Sequence, residues 1–309
     1  MQKILFLTGA LGFAGKHYYT QFKNEWDKII IYDKKTYAAD KKFFLKNKRK
    51  KDVFIKGDIC DYQKLKKTIP KNCHVIHFAA ESHVDNSFYS SLIFTKTNAL
   101  GTHTLLEVCR SKNNKKITII STDEVYGETT KKKNEKSILE PTNPYSASKT
   151  SADIISQTYY KCFKLPICIV RANNLYGDYQ HIEKIIPATI NAINGGKKLK
   201  IHGGGKSIRN FLHVEDFAAA VQLITNRAQI GQIYNVKGRF KIRIIDLIKK
   251  LSKISNKKIS EFSNFVKDRP FNDFTYNISD KKIKLLGWKE KKIFNLEIVK
   301  ILKNNLVLK

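Results

Sequence analysis

The sequence predicts an α/β fold: a doubly wound parallel sheet with a smaller α+β lobe. Three observations lead there. Short apolar runs of strand length alternate with helix-length stretches. A glycine-rich loop sits directly between the first such run and the helix after it. The 309 residues exceed what one small core usually organises, so two lobes are expected. The strand candidates are Lys3 to Thr8, Lys28 to Tyr32, Val53 to Ile55, Cys73 to Phe78, Ile117 to Ile120, Pro166 to Arg171 and Gln232 to Val236, the last rejoining the sheet. Between them, the stretch up to Trp26 and the apolar stripe Leu100, Leu105, Leu106 and Cys109 within Asn98 to Arg110 read as helices. A further helix is expected within Phe211 to Thr225.

Gly9, Gly12 and Gly15 form G-x-x-G-x-x-G at the first strand-to-helix turn. Glycines there let the backbone approach a pyrophosphate, which the helix amino terminus attracts. The arrangement defines a Rossmann-type sheet. Asp33 ends the second strand candidate, about twenty residues past the glycines, where an acid binds both ribose hydroxyls of NAD and repels a 2′-phosphate. NAD is therefore favoured, although Lys34 and Lys35 directly after Asp33 pull the other way. Asp58 follows the third strand candidate, and the small residues Ala79 and Ala80 follow the fourth, where they let a cofactor pass close.

Thr122, Asp123 and Glu124 end the fifth strand candidate, placing two acids at the rim where such sheets hold ligands. Tyr145 and Lys149 are four apart, hence on one helix face. A phenol beside an ammonium ionises more easily, so an acid, a base and an activated phenolate are expected around one pocket. An elimination needs one group that accepts a proton and one that donates, and adjacent carboxyls in different environments can hold different protonation states.

Lys plus Arg number 58 against 27 Asp plus Glu, a formal net charge of +31. The lysines are spread along the chain instead of forming one stripe, so a solvated surface is favoured over nucleic-acid binding. The five cysteines make no C-x-x-C pair and are odd in number, which fits reduced, packed thiols better than disulfides or zinc. His74, His77 and His83 match no closed metal pattern, and no metal is expected. A strand within three positions of Met1 leaves no signal-peptide n-region, and no apolar run approaches the ~20 residues that span a bilayer. A cytoplasmic protein without membrane contact is expected.

The glycine loop, Asp33 to Ala38, Gly57-Asp58-Ile59, His77 to Ser87, Ser121 to Gly127, Pro141 to Lys149, Asn174 to Pro187, His213 to Asp216 and Asp268-Arg269-Pro270 together resemble the nucleotide-sugar 4,6-dehydratases of the extended short-chain dehydrogenase/reductase superfamily. The resemblance covers nearly the whole chain. It implies that Tyr145 takes the sugar O4 proton, that Lys149 lowers the tyrosine pKa, that Thr122 holds O4, that Glu124 removes the C5 proton and that Asp123 protonates the departing C6 hydroxyl. It implies cofactor contacts from Gly9, Gly12, Phe13, Ala14, Gly15, Asp33, Lys34, Thr36, Asp58, Ile59, Ala79, Ala80, Ser82, Asn98, Tyr145 and Lys149. The substrate, a nucleotide-diphosphate sugar, would meet Ser82, Asn174, Lys184, Arg209 and Arg269. It implies a homodimer formed through helices like Asn98 to Arg110 and the one carrying Tyr145. Residues 1–172, with 211–236 returning to them, form the expected NAD-binding domain, and 173–210 with 237–309 the expected sugar-nucleotide lobe. Relatives depart from this chain at Leu175, Asp178, Lys237 to Lys241, Phe271 and Asn272. Most of these fall at the nucleotide end and leave dTDP and UDP both open, with Arg239 a further phosphate candidate. A 4-epimerase or a UDP-glucuronate decarboxylase on the same fold is the alternative enzyme, and a basic nucleic-acid-binding protein on a degenerate fold the remote one.

Overall fold

The computed structural model of the chain describes residues 2–305, so Met1 and the last four residues of the 237–309 segment lie outside the described residues. Twelve strands are described. They are β1 (Ile4–Thr8), β2 (Lys28–Asp33), β3 (Val53–Lys56), β4 (His74–His77), β5 (Lys116–Thr122), β6 (Ile167–Ala172), β7 (Asn174–Tyr176), β8 (Leu199–His202), β9 (Ile208–His213), β10 (Ile233–Val236), β11 (Phe240–Arg243) and β12 (Ser263–Val266). Seven of them form one parallel sheet in the order β10-β6-β5-β4-β1-β2-β3. The chain order reverses between β1 and β4, so the crevice at their carboxyl ends is the place where such a sheet binds a ligand.

The central strands are apolar along their length because helices cover both faces. On one face Tyr18, Tyr19, Phe217, Val221 and Ile224 close a buried cluster under Leu5, Leu7 and Val170. On the other, Leu65, Leu105, Leu106, Val108 and Tyr159 pack on Phe6, Val75, Ile117 and Ile169. The predicted return is present: the helix Val214–Arg227 packs beneath the sheet and leads into β10, which pairs in parallel with β6.

The lobe holds two small sheets, β11-β9-β7 and β12-β8. Its own core gathers Ile186, Ile190, Ile201, Phe211, Leu247, Ile248, Leu251 and Ile298. Two local differences from the sequence reading stand out. The helix expected over Asn98 to Arg110 is α-helical only from Gly101 to Cys109; Thr95–Leu100 forms a π-helical turn, the kind of bulge that often marks a functional site. All five cysteines are free thiols, but the buried ones are Cys73, Cys109 and Cys168, while Cys162 is exposed.

Candidate active site

The glycine loop meets its steric demand in two places. Gly9 has φ +70°, and a Cβ there would sit 2.5 Å from the Ala79 nitrogen. A Cβ on Gly15 would sit 2.2 Å from the Gly9 carbonyl oxygen. Only glycine lets the loop fold this tightly against the end of β4. Asp33 is buried at the end of β2. Its carboxylate accepts from the Leu11 amide (3.0 Å) and the Lys35 amide (2.8 Å), tying this strand-end acid to the glycine loop. Burial pushes its carboxyl up, and the two amide bonds work against that rise.

The two lysines after Asp33 turn elsewhere. Lys34 Nζ forms an ion pair with Asp58 at 2.8 Å, and Lys35 Nζ lies 4.8 Å from the centre of the Phe54 ring. Both cations have partners within the chain itself. The cleft at the switch point is lined by Gly9, Gly12, Phe13, Ala14, Gly15, Asp33, Lys34, Thr36, Asp58, Ile59, Ala79, Ala80, Ser82, Tyr145 and Lys149. A glycine cradle, an acid held by two amides at a strand end and a wall of small residues fit a dinucleotide.

Asn98 is placed differently from the other cofactor candidates. It is buried and does not line the cleft. Its Oδ1 accepts from the Glu81 amide at 2.8 Å, and its Nδ2 donates to the Glu81 carbonyl (2.9 Å) and to Ser148 Oγ (2.9 Å). Every polar atom of the side chain is used to fasten the cleft wall to the helix Pro144–Phe163, so its effect on a cofactor is indirect.

The acid pair follows β5 on a 3₁₀ turn, Asp123–Tyr126. Thr122 caps that turn, its Oγ1 accepting from the Glu124 amide at 3.2 Å. Asp123 is 2% exposed and does not line the cleft; Asn173 Nδ2 donates to its Oδ2 at 2.5 Å. Burial, and then the neighbouring Glu124, push the Asp123 carboxyl up to about 7. Glu124 does line the cleft, and burial raises its carboxyl too. Two adjacent acids are therefore present in environments that favour proton retention, one behind the wall and one facing the ligand space.

Tyr145 and Lys149 share one face of Pro144–Phe163, a helix opened by a capping box in which Asn143 Oδ1 accepts from the Ser146 amide. The expected effect of Lys149 on the phenol is not what governs it in the protein alone. Burial drives the Tyr145 phenol upward, Glu124 and Asp123 add to the rise, and the Thr122 hydroxyl works in the other direction. Lys149 Nζ donates instead to the Ile120 carbonyl at 2.6 Å, and burial lowers its ammonium to about 8. Burial thus makes the lysine give up its proton more readily than an exposed one and makes the phenol hold its proton more tightly.

A second chamber continues from the first across Ser82, Glu124, Asn174 and Lys184, which line both. Asn174 Oδ1 is buried there without a hydrogen-bond partner, an unmet acceptor at the junction. The cations of the sequence-predicted substrate set are present but already held by the protein. Lys184 Nζ donates to the Ser82 carbonyl at 2.6 Å. Arg269 grips Asp85 with Nε–Oδ1 2.5 Å and Nη2–Oδ2 3.1 Å. Arg209 donates to the Ile208 and Phe274 carbonyls (2.9 and 3.3 Å) and stacks over Tyr276. Arg239 does not join them. It pairs with Glu290 outside both chambers, which corrects the reading of Arg239 as a phosphate contact. Phe240 stacks on Phe294 in the lobe core, centroids 3.9 Å apart, so of the departures after Val236 and Pro270 it is Phe271 and Asn272 that reach the chamber.

Asn143, Asn173, Asp273 and Tyr276 surround the two acids from segments far apart in the chain. Asn143 lies within the Pro141 to Lys149 run, just before the Pro144 that opens the Tyr145 helix; none of the four was among the candidate site residues. Among the described residues no group of three or more His, Cys, Asp or Glu could hold a metal ion, and no helix is long and apolar enough to cross a membrane.

Comparison with known proteins gives a consistent picture. The family model described as GDP-mannose 4,6 dehydratase matches residues 6–301. A dTDP-D-glucose 4,6-dehydratase of Dictyostelium discoideum is 41% identical over 94% of this chain and 78% of its own length. A trifunctional Arabidopsis thaliana protein, named as UDP-glucose 4,6-dehydratase with epimerase and reductase activities, is 39% identical over 94% of this chain, which spans 45% of that longer protein. The crystal structure of a dTDP-glucose 4,6-dehydratase from Streptomyces venezuelae, solved with NAD bound, superposes with a TM-score of 0.94 at 31% identity, covering 97% of this chain and 96% of that one.

Proposed function

This chain belongs to the nucleotide-sugar 4,6-dehydratase family, and we propose that it dehydrates dTDP-glucose to the 4-keto-6-deoxy sugar with NAD as a bound, recycled cofactor. The observation that carries the reading is the buried acid pair on the turn after β5: Glu124 lines the dinucleotide cleft with Tyr145 and Lys149, and Asp123 lies directly behind it. A 4-epimerase moves hydride to and from C4 and has no use for two carboxyls there. Residues 1–172 with 214–236 would hold the cofactor, and 173–213 with 237–305 the sugar nucleotide; the expected boundary at 211 moves because β9 (Ile208–His213) pairs with β11 and β7 inside the lobe.

When bound, NAD⁺ supplies the acceptor that takes hydride from C4 and later returns it to C6, and it brings a positive charge into the cleft. The glycine loop receives the pyrophosphate, and Asp33 the adenosine ribose. Tyr145, ionised against the effect of burial by the positive charge that bound NAD⁺ brings to the cleft, takes the O4 proton, while Thr122 steadies O4. The resulting ketone acidifies C5. Glu124 then removes the C5 proton, the electron pair forms the C5–C6 double bond, and hydroxide leaves C6 with the Asp123 proton as water. Glu124 afterwards returns a proton to C5. The high pKa of Asp123 suits a donor, and the exposure of Glu124 to the ligand space suits an acceptor. Lys184, Arg209 and Arg269 hold the diphosphate.

A homodimer is part of the same reading. Tyr89 and Leu92 are 88% and 83% exposed, and Leu100, Ile154 and Phe163 are about half exposed on the helices before and along Pro144–Phe163. Such large apolar side chains on neighbouring helices suit an isologous contact with a second copy.

The test is incubation with dTDP-glucose and, separately, UDP-glucose, followed by the base-induced absorbance of a 4-keto sugar. Keto product from dTDP-glucose supports the proposal. Product from UDP-glucose alone, the substrate in the name of the Arabidopsis relative, would move the specificity to uridine. No keto product from either would overturn the dehydratase reading.

A further inference from the structure

A third buried carboxylate stands beside the proton-accepting Glu124. Asp273 is 3% exposed and comes from the lobe, on the segment that follows Arg269. Thr142 Oγ1 donates to its Oδ1 at 2.6 Å, and the Tyr276 hydroxyl donates to its Oδ2 at 2.7 Å. That hydroxyl also lies 3.4 Å from Glu124 Oε2. Asn143 Nδ2 lies 3.5 Å from both Glu124 Oε2 and Asp273 Oδ2. Two acids thus share two donors.

The stoichiometry of protons decides how they share. Tyr276 has one hydroxyl proton and gives it to the nearer acceptor, Asp273. Without Asp273, the same proton would be free to bond Glu124 and stabilise its carboxylate, making it a poorer base. Asn143 is constrained as well: its Oδ1 caps the helix carrying Tyr145, and only its amide hydrogens face the acids. Thr142, on the same cap, ties Asp273 to that helix. A buried carboxylate held by neutral donors and placed against another carboxylate is costly, and the fold maintains it.

We propose that Asp273 is a positioning residue for Glu124: it draws the Tyr276 proton and the Asn143 amide toward itself, and its negative charge keeps Glu124 a strong base for the C5 proton. The inference rests on the dehydratase reading. The groups that face Glu124 electrostatically are Asp123, Tyr145, Lys184, Arg209, Asp273 and Tyr276. Burial raises the Glu124 carboxyl most; Arg209 and Lys184 oppose the rise, and Asp273 reinforces it. Removing the Asp273 charge therefore lowers the Glu124 pKa.

The experiment uses full-length Asp273→Asn with dTDP-glucose. Three readouts are taken: the pH dependence of kcat, the kinetic isotope effect with substrate deuterated at C5, and thermal unfolding. The acid limb of the profile is expected to move down by roughly one unit, and the plateau to fall about tenfold as the base weakens. The C5 isotope effect on kcat is expected to exceed that of the unaltered protein, because proton abstraction becomes slower relative to the other steps. Thr142→Val keeps the charge but frees Oδ1; it is expected to give a smaller plateau loss and a smaller increase in isotope effect, and it serves where the Asn variant does not fold. An acid limb and a C5 isotope effect unchanged in Asp273→Asn, or an isotope effect unchanged in Thr142→Val where only that variant folds, overturn the inference while leaving the dehydratase reading standing. Absence of keto product from the unaltered protein removes both.

Discussion

The rim of the seven-stranded sheet and the lobe facing it solve the same problem, holding an anionic ligand, in opposite ways. At the rim the binding surface is complete in the chain alone. Its glycines are locked by backbone contacts, Asp33 is fixed by two amides, and Lys34 is turned onto Asp58. In the lobe the cations are occupied: Lys184 by the Ser82 carbonyl, Arg269 by Asp85, and Arg209 by two carbonyls and a ring. On the proposed reading a diphosphate would displace those partners, so the cofactor site would be preorganised, whereas the substrate site would exchange internal contacts for ligand contacts at a cost in affinity.

This contrast can be broken at several points. The largest effect is expected at the chemistry, which both regions serve. Glu124→Gln should lower kcat by about 10²- to 10⁴-fold, the usual contribution of a positioned acid–base group. Steady-state formation of 4-keto sugar checks this, and binding of both ligands should survive.

Gly15→Ala tests the rigid side. Its Cβ would meet the Gly9 carbonyl at 2.2 Å, so the loop has to move. A stability loss of about 1–3 kcal/mol is expected from overpacking, with weakened NAD binding, read by thermal unfolding with and without NAD. On the exchangeable side, Arg269→Ala should raise the KM for dTDP-glucose roughly tenfold through a lost charge-assisted contact, with NAD affinity unchanged. Equal losses of NAD and substrate affinity in either variant would remove the distinction between the two regions.

The smallest effects come from pH. Asp123 must be protonated to act, and its carboxyl sits at about 7, so activity should fall as pH rises through that value. Glu124 must be ionised, and its raised pKa places the acid limb above the ordinary carboxylate range. The result is a bell. For stability the sign is also fixed: a carboxyl whose folded pKa is raised favours folding at low pH, and that contribution is lost as pH rises from the unfolded value through about 7. Asp123→Asn should therefore unfold at a higher temperature than the unaltered protein above pH 7, measured by a thermal series across pH.

What could be read from the sequence divides along the same line as the two regions. The rim is made of contiguous motifs because its demands are local: a turn that only glycine can make, a strand-end acid, a phenol and an amine one helical turn apart. Gly9, Asp33, Glu124, Tyr145 and Lys149 all line the cleft as expected. The lobe and the back of the acid turn are assembled from distant segments. Asp273 lies 149 positions beyond Glu124, and nothing around it in sequence marks it as a partner of that acid. Asn173 lies 50 positions from Asp123 and is equally silent. Asn98 is the reverse case: resemblance placed it among the cofactor contacts, and in the chain alone its amide bonds the backbone of Glu81 and Ser148 Oγ. Lys149 is a third kind of case. Its spacing from Tyr145 is right, yet burial, opposed by the Asp153 charge, sets its proton affinity, and a linear sequence shows neither.

The central claim is that the acid pair after β5 removes water within one oxidation and reduction cycle. Turnover of dTDP-glucose carrying deuterium at C4 tests it most directly. The account predicts a product lighter by one water, with the deuterium now on C6 and solvent hydrogen at C5. A product of unchanged composition with the deuterium still on C4 would mean epimerisation, and would contradict it.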